Sequence, residues 1–92
     1  MKAELIINHT AGGGKPEKHI SDILNYFEGI GFDYHVSWTP SSGSATALAR
    51  QASEQGAELI ISVGGDGTIN EIINGIIQSP AQPALGIIPA GW

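Results

Sequence analysis

The sequence contains no cysteine, so a disulfide framework and a thiolate metal site are both excluded. That absence fits a reducing cytoplasm. Basic residues are also scarce: four lysines and arginines stand against nine acids, for a formal net charge of -5. Without a basic stripe there is nothing to displace counterions from a nucleic-acid backbone. Steady electrostatic attachment to an acidic membrane is disfavoured for the same reason. No long apolar run is present. Leu5-Ile6-Ile7 behind Lys2 is too short for a signal-peptide core or a membrane span. The expectation is a soluble, cytoplasmic protein. Aromatics make up 7% of the chain, while glycine occurs thirteen times, so tight turns and aliphatic packing should dominate.

Within 92 residues there is room for one small domain with a thin stability margin. Ala3 to Asn8 reads as a strand covered on both faces. Ala11-Gly12-Gly13-Gly14 breaks it, and Pro16 to Glu28 has helical spacing in Ile20, Ile23, Leu24 and Phe27. Gly29 and Gly31 should end that helix. Tyr34, Val36 and Trp38 alternate with polar residues, the mark of a half-exposed, edge-like strand. Ala45, Leu48, Ala49 and Ala52 form a small-residue helical stripe stopped at Gly56. Leu59 to Val63 is a second buried strand. Ile69, Ile72, Ile73, Ile76 and Ile77 then mark a third helix, whose stripe is expected to be core. Leu85 to Ile88 supplies a last strand. The order β-α-β-α-β-α-β predicts a three-layer α/β fold with a mostly parallel sheet and right-handed crossovers. In such sheets ligands gather at the carboxyl ends of the strands.

Three of those strand ends carry chemistry. Gly64-Gly65-Asp66-Gly67-Thr68 lies between a buried strand and the isoleucine-rich helix. Glycine permits close backbone approach, and the N–H groups opening a helix favour phosphate. Asp66 would repel a bare phosphate, which points to a Mg²⁺–nucleotide with Asp66 on the metal side. The competing structural explanation is a tight turn in which Thr68-Ile69-Asn70-Glu71 acts as a capping box. The second loop, Asn8-His9-Thr10-Ala11-Gly12-Gly13-Gly14-Lys15, is neither a P-loop nor a dinucleotide fingerprint. It still forms an anion cradle, with Asn8 placed to bond a base or ribose. Thr39, at the end of the second strand, could touch phosphate or start the Thr39-Pro40 turn. His9, His19 and His35 lack metal-ligand spacing and read as surface histidines.

The block from Gly64 through Gly75 resembles the signature of the diacylglycerol kinase catalytic domain. That family includes bacterial lipid kinases and sphingosine and ceramide kinases. The Asn8 loop and Leu85-Gly86-Ile87-Ile88-Pro89-Ala90-Gly91 are similar to two further landmarks of the family. The resemblance implies the N-terminal domain of a phosphofructokinase- or NAD-kinase-like fold. It implies ATP and Mg²⁺ as cofactors. Nucleotide contacts would come from Asn8, His9, Thr10, Ala11, Gly12, Thr39, Gly64, Gly65, Asp66, Gly67, Thr68, Ile69 and Asn70, with Asp66 at the metal. Two departures stand out: His9 replaces a proline, and Trp92 stands where a phosphate-contacting threonine is expected.

On this resemblance residues 1–92 are the first part of the ATP-binding domain. The catalytic base and much of the lipid site would lie in a later β-sandwich domain, leaving no catalytic residue in this chain. The parent would contact membranes transiently, and the chain alone would be inactive and self-associate through the exposed edge of its fourth strand. An NAD kinase or phosphofructokinase-like kinase is the rival enzyme reading, against which stands the Asn70-Glu71 and Asn74-Gly75 continuation. A non-catalytic nucleotide-binding segment is the rival of a different class.

Overall fold

The computed structural model describes residues 2–8, 17–31, 33–39 and 44–89. Seven elements follow one another: β1 (Lys2–Asn8), α1 (Glu17–Gly29), β2 (Asp33–Thr39), α2 (Ser44–Glu54), β3 (Leu59–Gly64), α3 (Asp66–Ile77) and β4 (Ala84–Pro89). All pairings are parallel, in the order β2-β1-β3-β4. The interior positions go to the two strands with unbroken apolar runs, because only those can be covered on both faces. Leu5, Ile6, Ile7, Ile60 and Val63 are fully buried, each worth roughly 1.5–3 kcal/mol of transfer free energy. The alternating strand β2 takes an edge, as its pattern predicted.

Side chains leave a strand on alternate faces, and two cores result. Leu5, Ile7, Ile61 and Val63 pack with Phe27 of α1, joined by Ile23, Leu24, Tyr34, Val36, Leu59 and Ile88. On the other face Ile6 and Ile60 meet Ala45, Ala49 and Ala52 of α2 and Ile72 of α3. The layers are therefore α1, sheet, and the pair α2–α3. The helices of that pair cross closely. A Cβ added to Gly75 would lie 2.3 Å from the Thr46 carbonyl oxygen and 2.8 Å from Ala49 Cβ. The Thr46 hydroxyl donates to the Glu71 carbonyl at 2.9 Å, tying the helices together. Gly31 (φ 77°) follows α1 and Gly56 (φ 95°) follows α2, both in the left-handed region that favours glycine.

The structure adjusts the expectations for α3 and α1. The isoleucine stripe of α3 is only partly core: Ile72 is buried, Ile69 and Ile76 are half-buried, while Ile73 (38%) and Ile77 (66%) are exposed. The close crossing with α2 turns Gly75 and Ala49 toward each other, so part of the isoleucine stripe is rotated off the core. Trp38, in the alternating pattern of β2, is 39% exposed, in keeping with a half-exposed edge strand. The helix expected from Pro16 to Glu28 runs Glu17–Gly29, and Pro16 lies outside the described residues.

Candidate functional site at the carboxyl ends of the strands

Register brings the predicted strand ends to one edge. Asn8 pairs with Thr39, Ile7 with Val63, and Gly64 with Pro89. Asn8 and Gly64 thus leave the sheet side by side. Strand order also reverses between β1 and β3. The chain leaving β1 leads to α1 on one face, and the chain leaving β3 leads to α3 on the other. That divergence is the switch point at which open α/β sheets place ligands. Thr39, Asn8 and Gly64 through Asn70 are gathered there. His9, Thr10, Ala11, Gly12 and Gly91 belong to residues outside the described set.

The β3–α3 junction is abrupt. Gly65 is the N-cap, extended at φ -96°, ψ -167°, and as a glycine it offers the helix no capping side chain. The first intrahelical bond of this turn runs from Ile69 N–H to the Gly65 carbonyl at 3.2 Å. The amides before it lack a partner within the helix and point out of its positive end. Asp66 lies in this first turn and is exposed, as are Gly65, Gly67 and Asn70. Because the helix begins at Asp66, Thr68 is its third residue and not its cap. The capping-box explanation is therefore corrected. Thr68 is instead buried at 6% exposure, and its hydroxyl accepts a hydrogen bond from Asn8 Nδ2 at 3.1 Å.

The glycines of the motif divide into two kinds. A Cβ on Gly64 would meet Thr68 Oγ1 at 2.8 Å and Asn8 Cβ at 3.2 Å, so packing within the protein accounts for it. At Gly65 and Gly67 no described residue comes within 4 Å of an added Cβ, and neither has a positive φ. Contacts among the described residues do not require glycine at those two positions. A ligand pressed against the backbone would.

For a divalent cation, the described residues contain no cluster of three or more His, Asp or Glu side chains. A single carboxylate still suits Mg²⁺, which binds through one or two carboxylates while keeping water and phosphate oxygens as its other ligands. Asp66 fits that pattern.

Sequence reasoning missed one polar cluster. Glu4 of β1 accepts hydrogen bonds from the Ser37 hydroxyl (2.5 Å) and His35 Nδ1 (2.9 Å) on β2. The signal was available in the period-two alternation of β2. This group borders a cleft of about 160 Å³ beside α2, lined also by Leu48, Gln51 and Gln55. Four residues separate Glu4 from Asn8 along β1, or roughly 13 Å, so the cluster is a staple between strands and not part of the strand-end site.

The profile of the diacylglycerol kinase catalytic domain matches residues 2–92. The chain belongs to that family. Among its relatives are diacylglycerol kinases of Bacillus subtilis (strain 168) and Staphylococcus saprophyticus, 40% and 41% identical over 90 residues. Each match covers 98% of this chain and 30% of the relative. A crystal structure of a diacylglycerol kinase from Bacillus anthracis (strain Sterne) superposes with a TM-score of 0.81 at 33% identity, over 98% of this chain and 33% of that one. The chain thus spans about 30% of the length of these family members. No helix among the described residues is long and apolar enough to cross a membrane.

Proposed function

We propose that this chain is the nucleotide-binding part of a lipid kinase that transfers the γ-phosphoryl group of MgATP to the hydroxyl of diacylglycerol or a related lipid. The observation that carries the reading is the β3–α3 junction. There, exposed Gly65 and Gly67 leave the backbone bare, with no described residue crowding either position, at a helix N-terminus on the switch point. In this reading the amides of that turn hold phosphate oxygens, and the two glycines let them approach. Asp66 faces the metal, Asn70 and Ile69 border the phosphates, and Asn8, Thr39 and the residues from His9 to Gly12 complete the nucleotide site. Mg²⁺, when bound, would neutralise charge on the phosphates. The contribution of the chain's own residues is positioning and charge stabilisation, which is most of what phosphoryl transfer asks of a protein.

The reading also makes residues 1–92 the first part of the ATP-binding domain, with the acceptor pocket and catalytic base in sequence beyond them. The isolated chain would then be inactive. It would pair with a second copy along β4, an edge strand among the described elements whose Ile87 is 51% exposed. Sedimentation over a concentration series should show that pairing, and a monomer throughout would remove it.

The decisive test of function offers γ-labelled ATP and Mg²⁺ to the intact protein that carries this chain, with diacylglycerol, NAD and fructose 6-phosphate as separate acceptors. Label in the lipid alone is the expected outcome. Label in NAD or the sugar, or in none of the three, would overturn the lipid kinase reading.

A further inference from the structure

Thirteen positions make up the expected nucleotide site, yet the structure treats those it describes unequally. Gly65, Asp66, Gly67 and Asn70 are exposed. Thr68 is 6% exposed, and its hydroxyl already accepts the Asn8 amide, 60 residues away in sequence. Gly64 is enclosed between them: an added Cβ would stand 2.8 Å from Thr68 Oγ1, 3.1 Å from Thr68 Cβ and 3.2 Å from Asn8 Cβ. These three residues make one closely packed unit at the point where the chain diverges to opposite faces of the sheet.

We propose that Asn8, Gly64 and Thr68 form a lock that holds the end of β1 against the first turn of α3, and that Asn8 and Thr68 are positioning residues, not phosphate contacts. The proposal rests on the nucleotide reading above. Direct phosphate contacts then fall to the exposed side of the turn, the backbone of Gly65 and Gly67 with Asp66 and Asn70. The physical need is clear from the topology. Loops leaving adjacent strands toward opposite helical layers share no helix–helix contact that would fix their spacing. A hydrogen bond across the gap supplies it, and sub-ångström placement of binding groups has large effects on transfer. Glycine at 64 lets the two side chains close on each other, since any larger residue would separate them.

The test is a double-mutant cycle in the intact protein, using Asn8→Ala, Thr68→Val and the pair, with Thr68→Ser as the conservative variant. KM and kcat for MgATP are read beside the thermal midpoint. Asn8→Ala and Thr68→Val should each weaken MgATP by about fivefold, the size of one neutral hydrogen bond. The pair should be no worse than either alone, and the midpoints should show the same coupling. Thr68→Ser keeps the hydroxyl and should restore near-wild-type KM. Three outcomes would overturn the lock: losses that multiply in the pair without coupling in the midpoints, a silent Thr68→Val, or equal losses in Thr68→Ser and Thr68→Val. A wild-type protein that takes up no MgATP would instead sink the nucleotide reading and the positioning role with it. Coupled midpoints would then show the lock to be purely structural.

Discussion

The two faces of the sheet are packed from different materials. On the α1 face the buried cluster is Leu5, Ile7, Phe27, Ile61 and Val63, with the Tyr34 ring tilted 43° against Phe27 at a centroid distance of 6.2 Å. On the α2–α3 face it is three alanines of α2 with Ile6, Ala57, Ile60 and Ile72. Of the buried polar residues among the described ones, Thr39, Ser53, Ser62 and Thr68 fall on this second side by strand alternation or helix membership, while Ser79 lies in the turn after α3. Ser62 is fully buried with no hydrogen-bond partner among the described residues, a cost of about 1–3 kcal/mol. One face is built for burial of apolar area. The other is built for close approach of two helices and for polar groups near the strand ends. Its Asn8–Thr68 and Thr46–Glu71 hydrogen bonds are directional, so it is the face that sets geometry.

Variants can break that contrast. Leu5→Ala, fully buried on the α1 face, should cost about 3 to 5 kcal/mol of stability and lower the thermal midpoint by on the order of 15 °C. MgATP affinity of the folded protein should stay unchanged, and an affinity loss would show that the α1 face also shapes the site. Asp66→Ala should do the reverse. Turnover in the intact protein should fall about 100-fold, equivalent to about 3 kcal/mol. The midpoint should hardly move, because Asp66 is exposed and loses only its favourable placement at the helix N-terminus. Unchanged turnover at saturating MgATP would return Asp66 to a turn residue.

A smaller effect is expected at the helix crossing. Alanine is the better helix former by about 1 kcal/mol, but at Gly75 its Cβ would sit 2.3 Å from a backbone oxygen of α2. The clash should win, leaving a net loss of about 1–2 kcal/mol as α2 is pushed aside. A stabilised Gly75→Ala would mean that the two helices can separate freely. The smallest effect belongs to Tyr34. Its ring is half-buried, but its hydroxyl lies at the surface and donates to Glu28 Oε1 at 2.9 Å. That hydrogen bond, with some desolvation and the Glu28 charge, raises the phenol above its usual value of 10.0. A raised acid in the folded state contributes stability below the unfolded pKa and loses it as pH climbs through the folded one. Tyr34→Phe should therefore flatten the stability profile above pH 10 and leave neutral pH nearly untouched. An unchanged alkaline slope would show that the Glu28 contact does not persist in solution.

Much of this was legible in residue order. Unbroken apolar runs at Leu5–Ile7 and Leu59–Ile61 marked the interior strands, and the alternation in Tyr34–Trp38 marked an edge. Strand–helix alternation then required a parallel sheet and assembled Asn8, Thr39 and Gly64–Asn70 at one end. These features are local, since each depends on periodicity within a single element and on the handedness of its connections. What stayed hidden depends on neighbours distant in sequence. Thr68 fits a capping box in the linear pattern, yet α3 begins two residues earlier and Asn8 takes its hydroxyl. Ile69 through Ile77 form one stripe on a helical wheel, but the approach of α2 decides which isoleucines the sheet covers. The four glycines at 64, 65, 67 and 75 are identical letters. Only the tertiary structure separates the two enclosed by other parts of the chain from the two that no described residue crowds, because a missing side chain reveals nothing of what stands in its place.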